Sequence, residues 1–277
     1  MKELQEEVVI ERGDRFELQL KELWHYRELF YFFTWRDVKV KYKQTALGVL
    51  WVVIQPILMV LIFTLFFGRT LKFDSGALPY PVFVFSGLLL WNFFSSSINA
   101  AGNSMITNST VIKKIYFPRV IIPVSSILVS CIDFIIAFIV FIGTMIYYRV
   151  EVDFLQLIIF WPMAIVFMLM GTLGISCWLA ALMVKYRDFR HVIPFGLQLA
   201  LFISPVIYPT AVSGLKWVNY LLALNPMYCA INFFRTPFYG QAMDTVSLAI
   251  STVSVLFFLA LGIYYFKKTE AYFADIS

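Results

Sequence analysis

Charge in this chain is confined to islands. No Asp, Glu, Lys or Arg occurs over residues 44–68, 75–112, 120–132, 134–148, 154–184, 191–215, 217–234 or 245–266. A helix needs about 20 apolar residues to cross the hydrocarbon core of a bilayer. Joining the two runs that flank Asp133 leaves six of adequate length and one shorter run, 217–234. Composition agrees, with 61% hydrophobic and 14% charged residues, where soluble domains carry roughly 25% charged. The chain therefore reads as an all-α, polytopic membrane protein. The spans are expected near 47–67, 81–101, 120–148, 155–183, 192–209 and 245–266, forming one membrane domain over 47–277 with no soluble domain. The first 22 residues are charged and lack the apolar stretch of a signal peptide. They read as a cytoplasmic N-terminal segment.

Orientation follows from the cations. With six crossings and both termini cytoplasmic, seventeen of the 22 Lys and Arg residues fall inside. Arg69, Lys72, Arg149, Lys216 and Arg235 remain outside. That split obeys the positive-inside bias, and inverting the chain would reverse it. The run 217–234 is interrupted by Asn225-Pro226. Proline lacks the helical donor and disfavours helix at the residue before it. Residues 211–243 are accordingly expected to be a re-entrant helix pair between spans five and six. Non-helical backbone at such depth must be buried in protein or line a water-filled cavity.

The segment before the first crossing, 23–46, has its own pattern. Trp24, Tyr31, Trp35, Val38 and Tyr42 are spaced to form one helical stripe, with Arg36 and Lys43 opposite. An amphipathic helix of this kind lies in the membrane interface, aromatic rings at headgroup depth and cations toward anionic lipid. A plain basic flank would need neither the stripe nor Asp37. At Leu47-Gly48 the chain must turn from the membrane plane toward its normal, and glycine relaxes the backbone there.

Two polar features lie inside the expected spans. Asp133 is a carboxylate deep in the third, with Ser126 and Ser130 before it. An intramembrane acid is a functional candidate by default, yet no second carboxylate or histidine completes a proton relay. A hydrogen-bonded Asp that fixes helix packing is the favoured alternative. In the second span, Trp91-Asn92-Phe93-Phe94-Ser95-Ser96-Ser97-Ile98-Asn99 mixes aromatics with amides and hydroxyls. Such a face suits a sugar, whose C–H faces stack and whose hydroxyls bond, and it equally suits a polar helix interface.

Much chemistry is missing from the sequence. No GxxxxGK[ST], HExxH or GxSxG occurs, so ATP-driven work would require an ATPase on another chain. Cys131, Cys177 and Cys229 stand in apolar surroundings without metal-ligand spacing. No metal site and no nucleic-acid partner are expected. No internal repeat is evident, which weighs against a secondary transporter. Residues 103–119 join a polar start to Ile112, Ile115, Tyr116 and Phe117. Asn108, Ser109 or Thr110 can cap a short helix there, suited to docking in a partner's groove or to resting on headgroups.

Five stretches carry a resemblance: "WRDVKVKYKQTALGVLWVVIQP" (35–56), "VIKKIYFPRVIIPVSS" (111–126), "VKYRDFRHVIPFGLQ" (184–198), "ISPVIYP" (203–209) and "LNPMYCAINFFR" (224–235). In this order they resemble the permease subunits of ABC-2 type exporters, in the polysaccharide and polyol-phosphate branch, most of all O-antigen exporter permeases. The resemblance implies two permease copies with two P-loop ATPase subunits in the bacterial inner membrane, among membrane lipids. ATP and Mg would be held by the partner, and this chain would bind no cofactor. The cargo implied is an undecaprenyl-diphosphate-linked glycan. Teichoic acid, capsule, another lipid or a drug are alternatives, as is a membrane enzyme acting on lipid-linked sugars. The substrate entrance maps to Arg36, Lys39, Lys41, Lys43, Leu47 and Gly48, whose cations would lie within ~10 Å of the headgroup plane, about a Debye length. The channel is expected to be lined by Trp51, Gln55, Trp91, Asn92, Ser95, Asn99, Phe202 and Tyr208. Coupling to the ATPase maps to Asn108, Ser109, Thr110, Ile112, Lys113, Lys114 and Tyr116, and to Tyr186, Arg187 and Asp188 in the second cytoplasmic loop.

Overall fold

The computed structural model describes residues 20–43, 48, 50–70, 78–208, 216–239 and 244–270, and all regular structure among them is helical. The N-terminal pair is α1 (Leu20–His25) and α2 (Arg27–Lys43). Next come α3 (Leu50–Phe63), which widens into π-helical turns over Thr64–Thr70, then α4 (Tyr80–Thr107) and the single turn α5 (Ser109–Ile112). The remainder is α6 (Ile121–Tyr147), α7 (Phe154–Lys185), α8 (Phe189–Ile203), α9 (Lys216–Ala223), α10 (Pro226–Tyr239) and α11 (Thr245–Glu270). Among the described residues, five segments are long and apolar enough to cross a membrane: 50–68, α4, α6, α7 and α11.

Packing fixes their relative directions. Phe85 meets Phe141 and Phe93 meets Phe134, so α4 and α6 run antiparallel. Gly171 faces Val255 and Gly174 faces Leu259, so α7 and α11 run parallel. Their backbones touch: a Cβ on Gly262 would lie 1.9 Å from the Gly174 carbonyl oxygen. Met105, Ile121, Cys177, Ala181 and Phe266 form one apolar cluster. It marks the end of the bundle where Lys113, Lys114, Lys185, Lys267 and Lys268 gather, here called the basic end. At the opposite end Phe138, Phe141, Trp161, Phe234 and Phe238 interlock, with Trp161 stacked on Phe234 at 4.9 Å. Burial is uneven. Of the most apolar stretch of each span, 78% is buried in α4 and 11% in the segment 50–68.

Because α7 and α11 are parallel, the chain must return along the bundle between Lys185 and Thr245. The helix expected over 192–209 begins earlier and ends at Ile203, because Pro205 cannot continue the donor pattern. Its 15 residues rise about 22 Å, and the non-helical stretch 204–208 carries the chain on to Gly87 and Tyr80 at the start of α4. The expected break at Asn225-Pro226 is present, with Pro226 opening α10. Asn225 Oδ1 accepts the Met227 N–H at 2.9 Å, and its amide donates to Ser204 Oγ at 2.6 Å. At 8 and 14 residues, α9 and α10 are each too short to span alone.

Candidate functional site

The site is built around α2. A turn at Tyr26 separates it from α1, so the segment expected as one helix is two. It is apolar on two faces rather than one. Phe33 is buried against Phe117 at 5.8 Å, with Leu29 and Phe30 beside it in the basic-end cluster. Tyr31 and Trp35, from the stripe legible in the sequence, stack at 6.3 Å and face away from the protein, 70% and 49% exposed.

Two polar ties fasten this helix. Near its middle, Arg36 donates from Nε and Nη2 to Asp37 Oδ1 at 2.9 and 2.7 Å, and from Nη2 to Asn108 Oδ1 at 2.7 Å. The Arg36 guanidinium also lies 5.0 Å from the centre of the Phe33 ring. Asn108 is buried where α4 ends and α5 begins, and its own amide donates to the Ser104 carbonyl. Near the C-terminal end of α2, Lys41 pairs with one oxygen of Asp133 and the Tyr42 hydroxyl donates to the other. Burial first, then the bond to Asp133 and its negative charge, push the Tyr42 phenol above its ordinary value. It therefore remains a protonated donor. Asp133 thus ties the end of α2 to α6, and α2 runs along α6 instead of lying flat.

The other proposed entrance residues are less engaged. Lys39 is exposed, its ammonium 5.1 Å from the Trp35 ring centre, and Lys43 is exposed at the helix end. Leu47 lies outside the described residues. Gly48 lies in a turn and has φ 44°, a conformation that side chains with a Cβ rarely adopt.

The proposed channel residues divide. Trp51 and Gln55 are exposed on α3, as is Phe202 on α8. Trp91 is buried, its ring 5.3 Å from Phe94. Asn92, Ser95 and Asn99 are half-buried on one face of α4, and Ser96, Asn103 and Thr107 extend that face toward the basic end. Asn99 donates to the Ser95 carbonyl and Asn103 to the Asn99 carbonyl, each at 2.9 Å. Those bonds use amide hydrogens and leave the side-chain oxygens as acceptors. Tyr208 is turned back, its hydroxyl donating to the Phe202 and Ile203 carbonyls at 3.1 and 3.0 Å.

The loop residues divide likewise. Asn108 and Ile112 are buried within this chain, and Ser109 is half-buried. Thr110, Lys113, Lys114 and Tyr116 are exposed, and Lys113, Lys114, Tyr116 and Arg119 line a shallow cavity. Arg119 also bonds to Glu270 at the end of α11. Tyr186, Arg187 and Asp188 are exposed in the turn between α7 and α8.

Arg235 was not among the residues singled out in the sequence. It is buried, and it donates to Ser86 Oγ and to the carbonyls of Phe83, Pro205 and Val206 at 2.6–3.0 Å. The signals available were a cation in α10 and the carbonyls released by the proline in "ISPVIYP".

Against known proteins, the family model described as "ABC-2 type transporter" matches residues 28–239. The chain belongs to the ABC-2 type transporter family. With its apolar helices, that makes this ABC-2 chain a multi-pass membrane protein. It is 26% identical to the O-antigen export system permease protein RfbA of Myxococcus xanthus over 261 residues, covering 93% of this chain and 98% of that one. A Klebsiella pneumoniae protein of the same name is also 26% identical, over 87% and 92% of the two chains. The polysialic acid transport protein KpsM of Escherichia coli is 23% identical over 85% and 91%. The ABC-2 match takes in α2, both proposed coupling loops and the α9–α10 pair.

Proposed function

We propose that this chain is the membrane subunit of an ATP-driven exporter that moves a lipid-linked polysaccharide of O-antigen type outward across the bacterial cytoplasmic membrane. One observation carries the reading. Helix α4, the most buried of the spans, leaves one continuous face of Asn92, Ser95, Ser96, Asn99, Asn103 and Thr107 at least partly open. A row of acceptor oxygens on a membrane helix is costly against lipid and favourable against water or sugar hydroxyls. The names of the relatives, O-antigen export and polysialic acid transport, point to the same cargo class.

In this reading both termini and the basic end are cytoplasmic, and α8 with residues 204–208 makes the sixth crossing. The pair α9–α10 is re-entrant from the outer side. Two copies enclose the conduit, because α3 and α8 present apolar and polar side chains that this chain does not cover. Two P-loop ATPase subunits, holding ATP and Mg, dock on the exposed parts of 108–117 and on Tyr186, Arg187 and Asp188. The diphosphate of the lipid-linked glycan meets the cations of α2 at the entrance beside Leu47-Gly48. The polysialic acid relative favours capsule polymer as the second reading of the cargo.

Replacing Asn92 and Asn99 together by Leu tests the conduit. Surface polysaccharide should fall at least tenfold at unchanged chain abundance, while lipid-linked glycan accumulates inside. Normal surface polysaccharide would remove this face from the conduit. Deleting the chain and identifying the glycan that accumulates inside the cell tests the cargo.

A further inference from the structure

Lys41 is one of the cations assigned to the arriving headgroup, and in the structure it is already engaged by Asp133. Asp133 is the thirteenth residue of α6, about 18 Å along that helix from Ile121. A carboxylate and an ammonium at such a position are each costly alone, so the pair holds the end of α2 against α6. It remains accessible: the Lys41 side chain is 41% exposed and that of Asp133 18%. Access is therefore easier to the cation than to the carboxylate. Separation would not strand Asp133, because the Tyr42 hydroxyl also donates to it. Lys39 and Lys43 are exposed on the same stretch of helix. A diphosphate carries more negative charge and more acceptor oxygens than one carboxylate, which favours it in a contest for the Lys41 ammonium.

We infer that Asp133 is an internal competitor for the cargo's diphosphate. In the empty chain it occupies Lys41 and latches the end of α2 to α6. An arriving lipid diphosphate takes over Lys41 and leaves Asp133 to Tyr42, so that one tie instead of two holds that end of the helix next to the Gly48 turn. The inference rests on the proposed anionic lipid-linked cargo. Competition has a signature that a merely structural ion pair lacks. Only the unlatched fraction binds, so removing the competitor must tighten binding.

The test uses the full chain in lipid nanodiscs, with a polyprenyl diphosphate and the matching uncharged polyprenol as probes. Asp133→Asn should bind the diphosphate roughly three- to tenfold more tightly and the polyprenol as before. Lys41→Gln should weaken diphosphate binding, and Asp133→Asn should then change nothing in the Lys41→Gln background. In the unaltered chain, which needs no variant to fold, the diphosphate should speed amide hydrogen exchange over residues 40–43. Unchanged or weaker diphosphate binding by Asp133→Asn, or slower exchange at 40–43, overturns the competitor role and leaves the cargo reading standing. Equal binding of both probes by the unaltered chain overturns the cargo reading, and the competitor role with it.

Discussion

A guanidinium carries five donors and keeps its charge at every accessible pH. Arg235, on α10, spends that capacity on two other segments: Ser86 and the Phe83 carbonyl in α4, and the Pro205 and Val206 carbonyls beyond α8. Those last two carbonyls lie where the helix has stopped, and backbone acceptors in an apolar bundle need a partner. The guanidinium carbon also lies over Phe83, 3.7 Å from its ring centre, and a Cβ on Gly87 would come within 2.5 Å of Nη2. Arg235→Gln should therefore destabilise the folded chain by about 3 kcal/mol, read as a lowered unfolding midpoint in detergent. An unchanged midpoint would mean that the carbonyls find other donors. In the sequence Arg235 counts only as one of a few cations on the far side of the membrane. Its burial depends on three elements meeting, and no spacing within one element encodes that.

At the scale of elements, α2 is the piece most altered by the structure. Its outward aromatic stripe was legible, because a repeat of three and four residues survives in any helix. Its second face was not, because the helix is apolar at most positions and periodicity alone cannot say which apolar face meets protein. The ties were equally hidden: Arg36 to Asn108 and Lys41 to Asp133 join residues 72 and 92 positions apart. Through Arg36, the helix at the proposed entrance is bonded to the residue that opens α5, the proposed docking loop. If that loop receives the ATPase stroke, α2 moves with it. Arg36→Gln should lower the polysaccharide exported per ATP hydrolysed severalfold in the reconstituted exporter, while hydrolysis itself continues. Equal transport per ATP would show that the stroke reaches the bundle by another route.

At the scale of the whole molecule, the five long spans were legible because hydrocarbon tolerates little charge. Which large apolar side chains stay uncovered was not. Large apolar side chains such as Leu58, Ile62, Phe195 and Leu199 stand exposed on α3 and α8. Lipid can cover them, but the conduit of the proposed exporter would need a second wall. With Cys131, Cys177 and Cys229 replaced by Ser, Leu58→Cys or Phe195→Cys should give an oxidised species of twice the 32.1 kDa chain mass on a denaturing gel. Monomer alone across both helices would place the partner surface elsewhere.

The glycine seam between α7 and α11 carries a mechanical consequence. Where the Gly262 and Gly174 backbones touch, neither helix can slide by a turn without driving Leu259 or a neighbour into main-chain atoms. Backbone has no rotamer with which to yield. The two helices therefore form a stator, with α10 seated on it through the Trp161–Phe234 stack. A shape change that opens this chain must therefore leave that seam intact.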